Sequence, residues 1–594
     1  MKKLTVFIAL LCSGFLFSQS DALAMQYFED GDFEKALVLY EKLYQKNPGR
    51  MDFLQYLIES HQQLERYQEA EQLLRSREES SFFPPNLLVE LGYNYQLQGQ
   101  QEKAVYYYEK AAAHVEQSPN FAFVIGSAFK KRALLDYALR VYERSIAVKP
   151  NTNIQLEIAR IYGEMGNIEK MFSSYLELIQ KNESYLRTIT NRISQFLDED
   201  PSSENNLILK KVLLEKLQST PDLLWNEILS WLYVQQKQYK NAFIQEKAIF
   251  KRSQVSTVKR VMSLGLVCME QGADEIAIDV FNYVIENSAD RSIQLDAHLY
   301  ITELEIANAD KKSYRNIEEK FKTLILDFGT SAETISLQIA YARFLAFHLN
   351  KTQEAIKMLT ESLDLRVSRF ELAKLKINLG DILVYDEKFN KALIYFSQVQ
   401  KALKNDVIAQ TARFKVAKTS FYKGDFDWAL TQLKVLRSST TQLIANDAMQ
   451  LSLLISDNSL EDSTKTALRI YAKADLMAYQ NKNKEAITLL DAILKDHKGA
   501  RIEDEALFKQ ATLLEKTGAY ERAKVNYLKI IEFYGYDILA DDALFALAQL
   551  YENKLGNPEK AREFYEKIIF NHPDSIYYVT SRKRYRALRG DAIN

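Results

Sequence analysis

Two cysteines, nine prolines and eighteen glycines among 594 residues are too few for several kinds of protein. Cys12 lies in the apolar run at the start of the chain, which leaves Cys268 alone, and a lone cysteine cannot staple a fold, so stability must come from packing. Glycine and proline make up about 3% and 1.5% of the chain, against average usage of about 7% and 5%. Both residues punctuate strands and turns, so their scarcity favours long helices joined by short connections. Histidine is sparse as well. His61, His114, His298, His348, His497 and His572 lie far apart, with no i,i+3 or i,i+4 pairing to put two on one helical face. No CxxC, GxxxxGK, GxSxG or HExxH pattern occurs, so the motifs of zinc sites, phosphate cradles and nucleophile elbows are missing. Adjacent acids such as Glu78-Glu79 and Asp541-Asp542 read as solvated helix faces rather than acid–base pairs. From this we expect no catalytic residue, no cofactor and no metal. Charge of one sign is lacking too: 77 basic side chains face 79 acidic ones, which leaves no chain-wide field to attract nucleic acid or an anionic membrane.

The chain begins with Lys2 and Lys3, then an apolar run from Leu4 to Phe17, then an abrupt polar break at Gln19-Ser20-Asp21. This order is that of a secretory signal peptide, with cleavage expected between Ser18 and Ser20. The run is too short to span a bilayer, which needs about 20 residues. Cys12 raises the alternative of lipid attachment, although Leu11 before it and the apolar residues after it fit that pattern poorly. The expected location is therefore the periplasm, with membrane association only through partners or through lipid at Cys12.

The main body of the chain is periodic. Ala36, Ala70, Ala104 and Ala138 follow one another at intervals of 34 residues. Each sits among similar neighbours: Gly31 and Tyr40 around the first, Gly92, Gly99 and Tyr108 around the third, and Gly126, Phe129, Tyr142 and Pro150 around the fourth. Small residues let two helices approach closely, and aromatics fill the gap to the next pair. Further copies centre on Ala159, Ala242, Ala277, Ala355, Ala392, Ala429, Ala486, Ala523 and Ala561. In spacing and residue type the chain resembles the tetratricopeptide-repeat family, with about thirteen to fifteen copies.

That resemblance implies an all-α, right-handed superhelical solenoid of antiparallel helix pairs, whose extended concave surface holds a peptide segment or helix. The expected organisation is a signal peptide over 1–20, an N-terminal array over 21–181 and a degenerate helical pair with an acidic, serine-rich loop over 182–221. A central array over 222–455, a C-terminal array over 456–574 and a capping helix with tail over 575–594 complete it. In the cap, Tyr577, Tyr578, Val579, Tyr585 and Leu588 are expected to pack inward. Arg582, Lys583, Arg584 and Arg586 then face water, as a solvated face or a basic docking patch.

Aligning the copies puts Phe414, Tyr471, Phe508 and Phe545 at one repeat position, and Tyr385, Tyr422 and Tyr479 at another. These rings either line a C-terminal groove or bury between helices. At inner-helix positions the N-terminal copies carry Gln55, Gln62, Gln96, Lys130, Lys131 and Arg160 instead. Cys268 falls where the two helices of a repeat meet and is expected to be buried. The phrase Phe570-Asn571-His572-Pro573-Asp574-Ser575 is similar to the closing repeats of periplasmic proteins that serve outer-membrane and envelope assembly. The resemblance thus implies a non-enzymatic scaffold binding envelope or outer-membrane proteins. The alternative is a secreted or surface protein recognising glycan or peptidoglycan through its ringed groove.

Overall fold

A computed structural model of the chain describes residues 21–78, 83–253, 257–404, 406–436, 442–459 and 464–591. The signal-peptide segment and Cys12 lie outside the described residues. The fold is all-α, with no strand among the described residues, and its helices pack in successive antiparallel pairs as a solenoid. Two compact units are distinguished by their internal packing, Met1–Val280 and Phe281–Asn594.

The period seen in the side chains is also written in the backbone. Within each of the first four helix pairs the chain reverses through a residue of positive φ: Gly31 at 76°, Glu65 at 57°, Gly99 at 74° and Ala133 at 55°, again 34 residues apart. Left-handed geometry suits glycine, but the reversal is imposed by packing strongly enough that Glu65 and Ala133 adopt it too. Side-chain caps then start several second helices. Asp32 accepts from the Lys35 N–H, Asn167 from that of Lys170 and Asn557 from that of Lys560.

The four marker alanines are all fully buried, as the spacing requires. Gly92 shows why small residues face the aromatics: a Cβ there would stand 2.5 Å from the Tyr108 ring. Gly126 meets Tyr142, and Gly380 meets Phe396, in the same way. Cys268 is buried and free, and burial pushes its thiol up to about 11.

One helix of the second unit stands outside the pairing. Gln442–Asp457 packs on Phe426–Leu436 and Val407–Lys423, after which Thr466–Tyr479 also lies against Val407–Lys423. The first helices of successive repeats therefore remain neighbours across the insertion. This keeps one face continuous.

Candidate functional site: the first-helix faces

In the unit ending at Val280, the first helices Met51–Gln63, Asn86–Leu97, Ala122–Lys131 and Thr152–Glu164 present ionised side chains to one another. Arg132, just past the third of them, is the centre. It donates from Nε to Glu90 at 3.1 Å, and its Nη2 lies 3.2 Å from Glu59 and 3.4 Å from the Gln62 carbonyl. Its guanidinium stands 4.4 Å over the Tyr93 ring. Lys131 also pairs with Glu59, across 72 positions of sequence. Lys130 bonds Glu157 at 3.0 Å, and Glu157 in turn takes Arg160. Burial drives the Glu90 carboxyl above its usual range, with Arg132 pulling the other way.

This network changes the reading of the N-terminal groove. Gln62 is buried, at 4% exposure, and is not a lining residue. Lys130 and Arg160 are half-buried and engaged with Glu157. Gln96 is exposed, as a groove residue should be, and accepts from the Tyr108 hydroxyl at 2.8 Å. The 34-residue pattern carried no sign of Glu59, Glu90 and Arg132. Their contacts join helices that are not neighbours in the repeat, and no local spacing encodes that.

In the unit beginning at Phe281, rings replace much of the charge. Tyr385, Tyr422 and Tyr479, aligned at one repeat position, do come together: Tyr479 lies 6.1 Å from Tyr385 and 6.3 Å from Tyr422, centroid to centroid. Phe347 joins them, 5.0 Å from Tyr385. Hydrogen bonds fasten the cluster. Gln480 donates to the Tyr385 carbonyl at 2.9 Å and to Glu387 at 3.0 Å, while the Tyr385 hydroxyl reaches Asn350 at 3.0 Å. Around it runs a ladder of ion pairs. Asp381 takes Lys415 at 2.7 Å, and Asp475 takes Lys418 and Lys509, both at 2.6 Å. Burial works against the ionised Asp475, but Lys418 and Lys509 outweigh it and hold the carboxyl well below the usual carboxylate range.

The other aligned position is mixed. Tyr471 is 9% exposed and belongs to the core, so it cannot line an open groove. Phe414, Phe508 and Phe545 are half-buried against the same core. Phe508 meets Tyr527 edge-on at 5.7 Å, and Phe545 stacks on Tyr577 at 4.2 Å. Tyr479, at 36% exposure, is the most open ring of the two sets.

In the cap, helix Tyr578–Arg589, Arg582 and Lys583 are exposed. Arg584 pairs with Glu552, and Arg586 lies 3.9 Å from Asp591. Val579 does not pack inward; it is 76% exposed, because the helix turns that side away from Ala540–Asn553 and Pro558–Asn571. Among the described residues no group of three or more His, Cys, Asp or Glu could hold a metal, and no helix is long and apolar enough to cross a membrane.

Within each unit, a row of first helices offering side chains on one face, with second helices as backing, defines a helical-repeat scaffold that recognises proteins by surface. Family models described as tetratricopeptide repeat match residues 27–80, 471–527 and 542–575. The chain is a tetratricopeptide-repeat protein. Repeat arrays of this family are generally non-catalytic scaffolds that bind other proteins. Among solved structures, the chain is similar to that of Naa15/Naa10 bound to HypK-THB, at 13% identity over 96% of this chain and 85% of that one, with a TM-score of 0.33. It is also similar to the APC/C hetero-tetramer Cut9–Hcn1, at 13% identity over 90% of this chain and 96% of that one, with a TM-score of 0.24. No curated protein sequence matches it.

Proposed function

We propose that this chain is an exported, non-enzymatic scaffold of the bacterial cell envelope, which holds protein segments during outer-membrane protein assembly, secretion or envelope biogenesis. The observation that carries the binding role is the first-helix face of the second unit, where Phe414, Phe508, Phe545 and Tyr479 stand partly open along consecutive repeats. Half-open rings on a rigid backing supply large contact area at low entropy cost. Export rests on the Lys2-Lys3 start, the apolar run to Phe17 and the polar break that follows.

The test has two parts. N-terminal sequencing of the protein from its native host should show loss of about eighteen to twenty residues. A mature chain beginning at Met1 overturns export, and one beginning at Cys12 replaces the free protein with a lipid-anchored one. A tagged chain recovered from the native envelope should carry envelope or outer-membrane proteins with it. Recovery of glycan fragments without protein would overturn the scaffold in favour of a carbohydrate-binding role.

A further inference from the structure

On the side of the second unit formed by second helices, a cleft of about 590 Å³ opens between Phe389–Ala402 and Phe426–Leu436, with Val407–Lys423 as its floor. Three cationic side chains line it: Lys401, Lys404 and Arg413. Its remaining walls combine the amides of Gln400, Gln410 and Gln432 with Val416, Leu436 and the indole of Trp428. Among the described residues no carboxylate lines it. Trp428 is 54% exposed, whereas Trp225 is fully buried, so about half of this indole is open to a partner.

Two other clefts of the same unit have the same construction and a different charge. One, of about 300 Å³, is lined by Glu354, Lys357 and Glu361; the other, of about 500 Å³, by Asp491, Lys495, Glu521, Arg522 and Lys529. In both, acids and bases mix, and a glutamine on the floor bonds the following helix: Gln338 accepts from Ser362 at 2.7 Å, and Gln510 from Asn526 at 2.8 Å. In the cationic cleft that arrangement is altered. The Gln400 carbonyl, in the amide orientation that satisfies both groups, accepts from Arg413 at 3.1 and 2.8 Å and so aims the guanidinium. The acids next to the lining in sequence are engaged elsewhere: Asp406 caps its own helix, accepting from the Ile408 N–H at 2.8 Å, and Asp427 pairs with Lys465 at 3.0 Å.

We infer that this cleft is a second protein-binding site, which takes an acidic segment of a partner with an aromatic or aliphatic side chain laid on Trp428. The inference rests on the reading of the chain as a scaffold but places a site away from the first-helix face. Arg413 supplies a planar fork for a carboxylate, and the two lysines supply charge at the rim. Trp428 provides the kind of exposed aromatic anchor that dominates interface energy. A long polyanion fits poorly. Nucleic acid or an anionic membrane needs a positive stripe, and either would meet Glu354 and Glu361 on one side or Asp491 and Glu521 on the other.

The experiment uses the full chain, without its first twenty residues, to select from a displayed library of random twelve-residue peptides. Peptides with two or more Asp or Glu flanking an aromatic or leucine should be enriched. A synthetic, fluorescently labelled copy of the leading sequence should then bind Trp428→Ala and Arg413→Glu about tenfold more weakly than the unaltered chain. The Lys401→Ala/Lys404→Ala double variant should lose a few-fold, and more at low salt than at high salt. Trp428, Lys401 and Lys404 are exposed, so an unchanged melting curve shows that their loss acts on binding. No enrichment, enrichment of neutral or basic sequences, or binding indifferent to both Trp428→Ala and Arg413→Glu overturns the site. Heparin or anionic lipid vesicles displacing the peptide at equal charge concentration overturn its assignment to protein. Either failure alongside recovery of envelope proteins by the tagged chain leaves the scaffold standing and removes only this cleft.

Discussion

Comparable first-helix faces in the two units are held in different ways. Before Val280, the face is closed by ions: Arg132 joins Glu59 and Glu90, and these groups are nearly withdrawn from water. After Phe281, Tyr385, Tyr422, Tyr479 and Phe347 meet ring to ring while Asp381 and Asp475 keep their lysines at the margin. Buried ion pairs contribute little net stability, yet removing one partner strands the other without solvent or counter-charge. Ring contacts lose area gradually and have no such cliff. The first face is therefore built for a single arrangement, and the second tolerates adjustment, which suits a surface that receives partners.

The largest expected effect tests the ionic face. Arg132→Ala should destabilise the first unit by about 3–5 kcal/mol, because Glu90 stays buried without a partner and Glu59 keeps Lys131 as its one cation; urea unfolding followed by tryptophan fluorescence reads it. Replacing the pair together, as Arg132→Met with Glu90→Leu, should restore most of that loss. If the single and double changes are equally harmful, the network is not the source of the difference between the faces.

Next comes Phe508→Ala. A fully buried phenylalanine costs about 3–5 kcal/mol on truncation, so a half-buried ring packed edge-on against Tyr527 should cost about 2 kcal/mol. Thermal melting and partner recovery on the same variant separate packing from recognition. A lowered melting temperature with normal binding per folded molecule makes the ring structural, whereas lost binding at nearly unchanged stability makes it part of the groove. Gly380→Ala, which drives a methyl group into Phe396, should cost about 1–3 kcal/mol and touch no partner, so it controls for destabilisation alone.

The smallest effect is in pH. Burial, reinforced by neighbouring Asp504, pushes the Glu505 carboxyl above its ordinary range. The folded state then holds a proton that the unfolded chain releases near its ordinary value, so stability from this group is present below the usual carboxylate range and lost as pH rises above it. Asp475 slopes oppositely, since Lys418 and Lys509 hold it low: its contribution is present at neutral pH and lost under acid. Glu505→Gln should raise the melting temperature at pH 8 by a few degrees and leave it nearly unchanged at pH 4. An equal gain at both values would mean that the charge is not what destabilises the site.

How much of this was legible beforehand follows from the range of each interaction. The alanines at 36, 70, 104 and 138, the glycine–aromatic contacts and the burial of Cys268 all lie within one repeat or between adjacent helices, where spacing reports them. The convergence of Tyr385, Tyr422 and Tyr479 was visible as a shared position, although their hydrogen-bonded closure by Gln480 was not. Gln62 and Lys130 were visible as polar residues on an inner face, but their partners Arg132 and Glu157 sit on other repeats. A repeat pattern cannot say that two of its own copies are ionically joined. The cationic cleft was hidden for a related reason: its lining is drawn from three helices, and only the sum of their charges distinguishes it from its neighbours.

The bond from Gln480 to the Tyr385 carbonyl spans 95 positions of sequence. Solenoids normally fold and unravel by nearest neighbours, each repeat opening with little regard for distant ones. Here the stretch from Tyr385 to Gln480 is knotted at both ends by the same contact, so its intervening helices should open together and not one at a time. Pulled from its termini, such an array would resist extension up to the breaking of that fastening and then lengthen in one large step, whereas flanking repeats would yield in small ones.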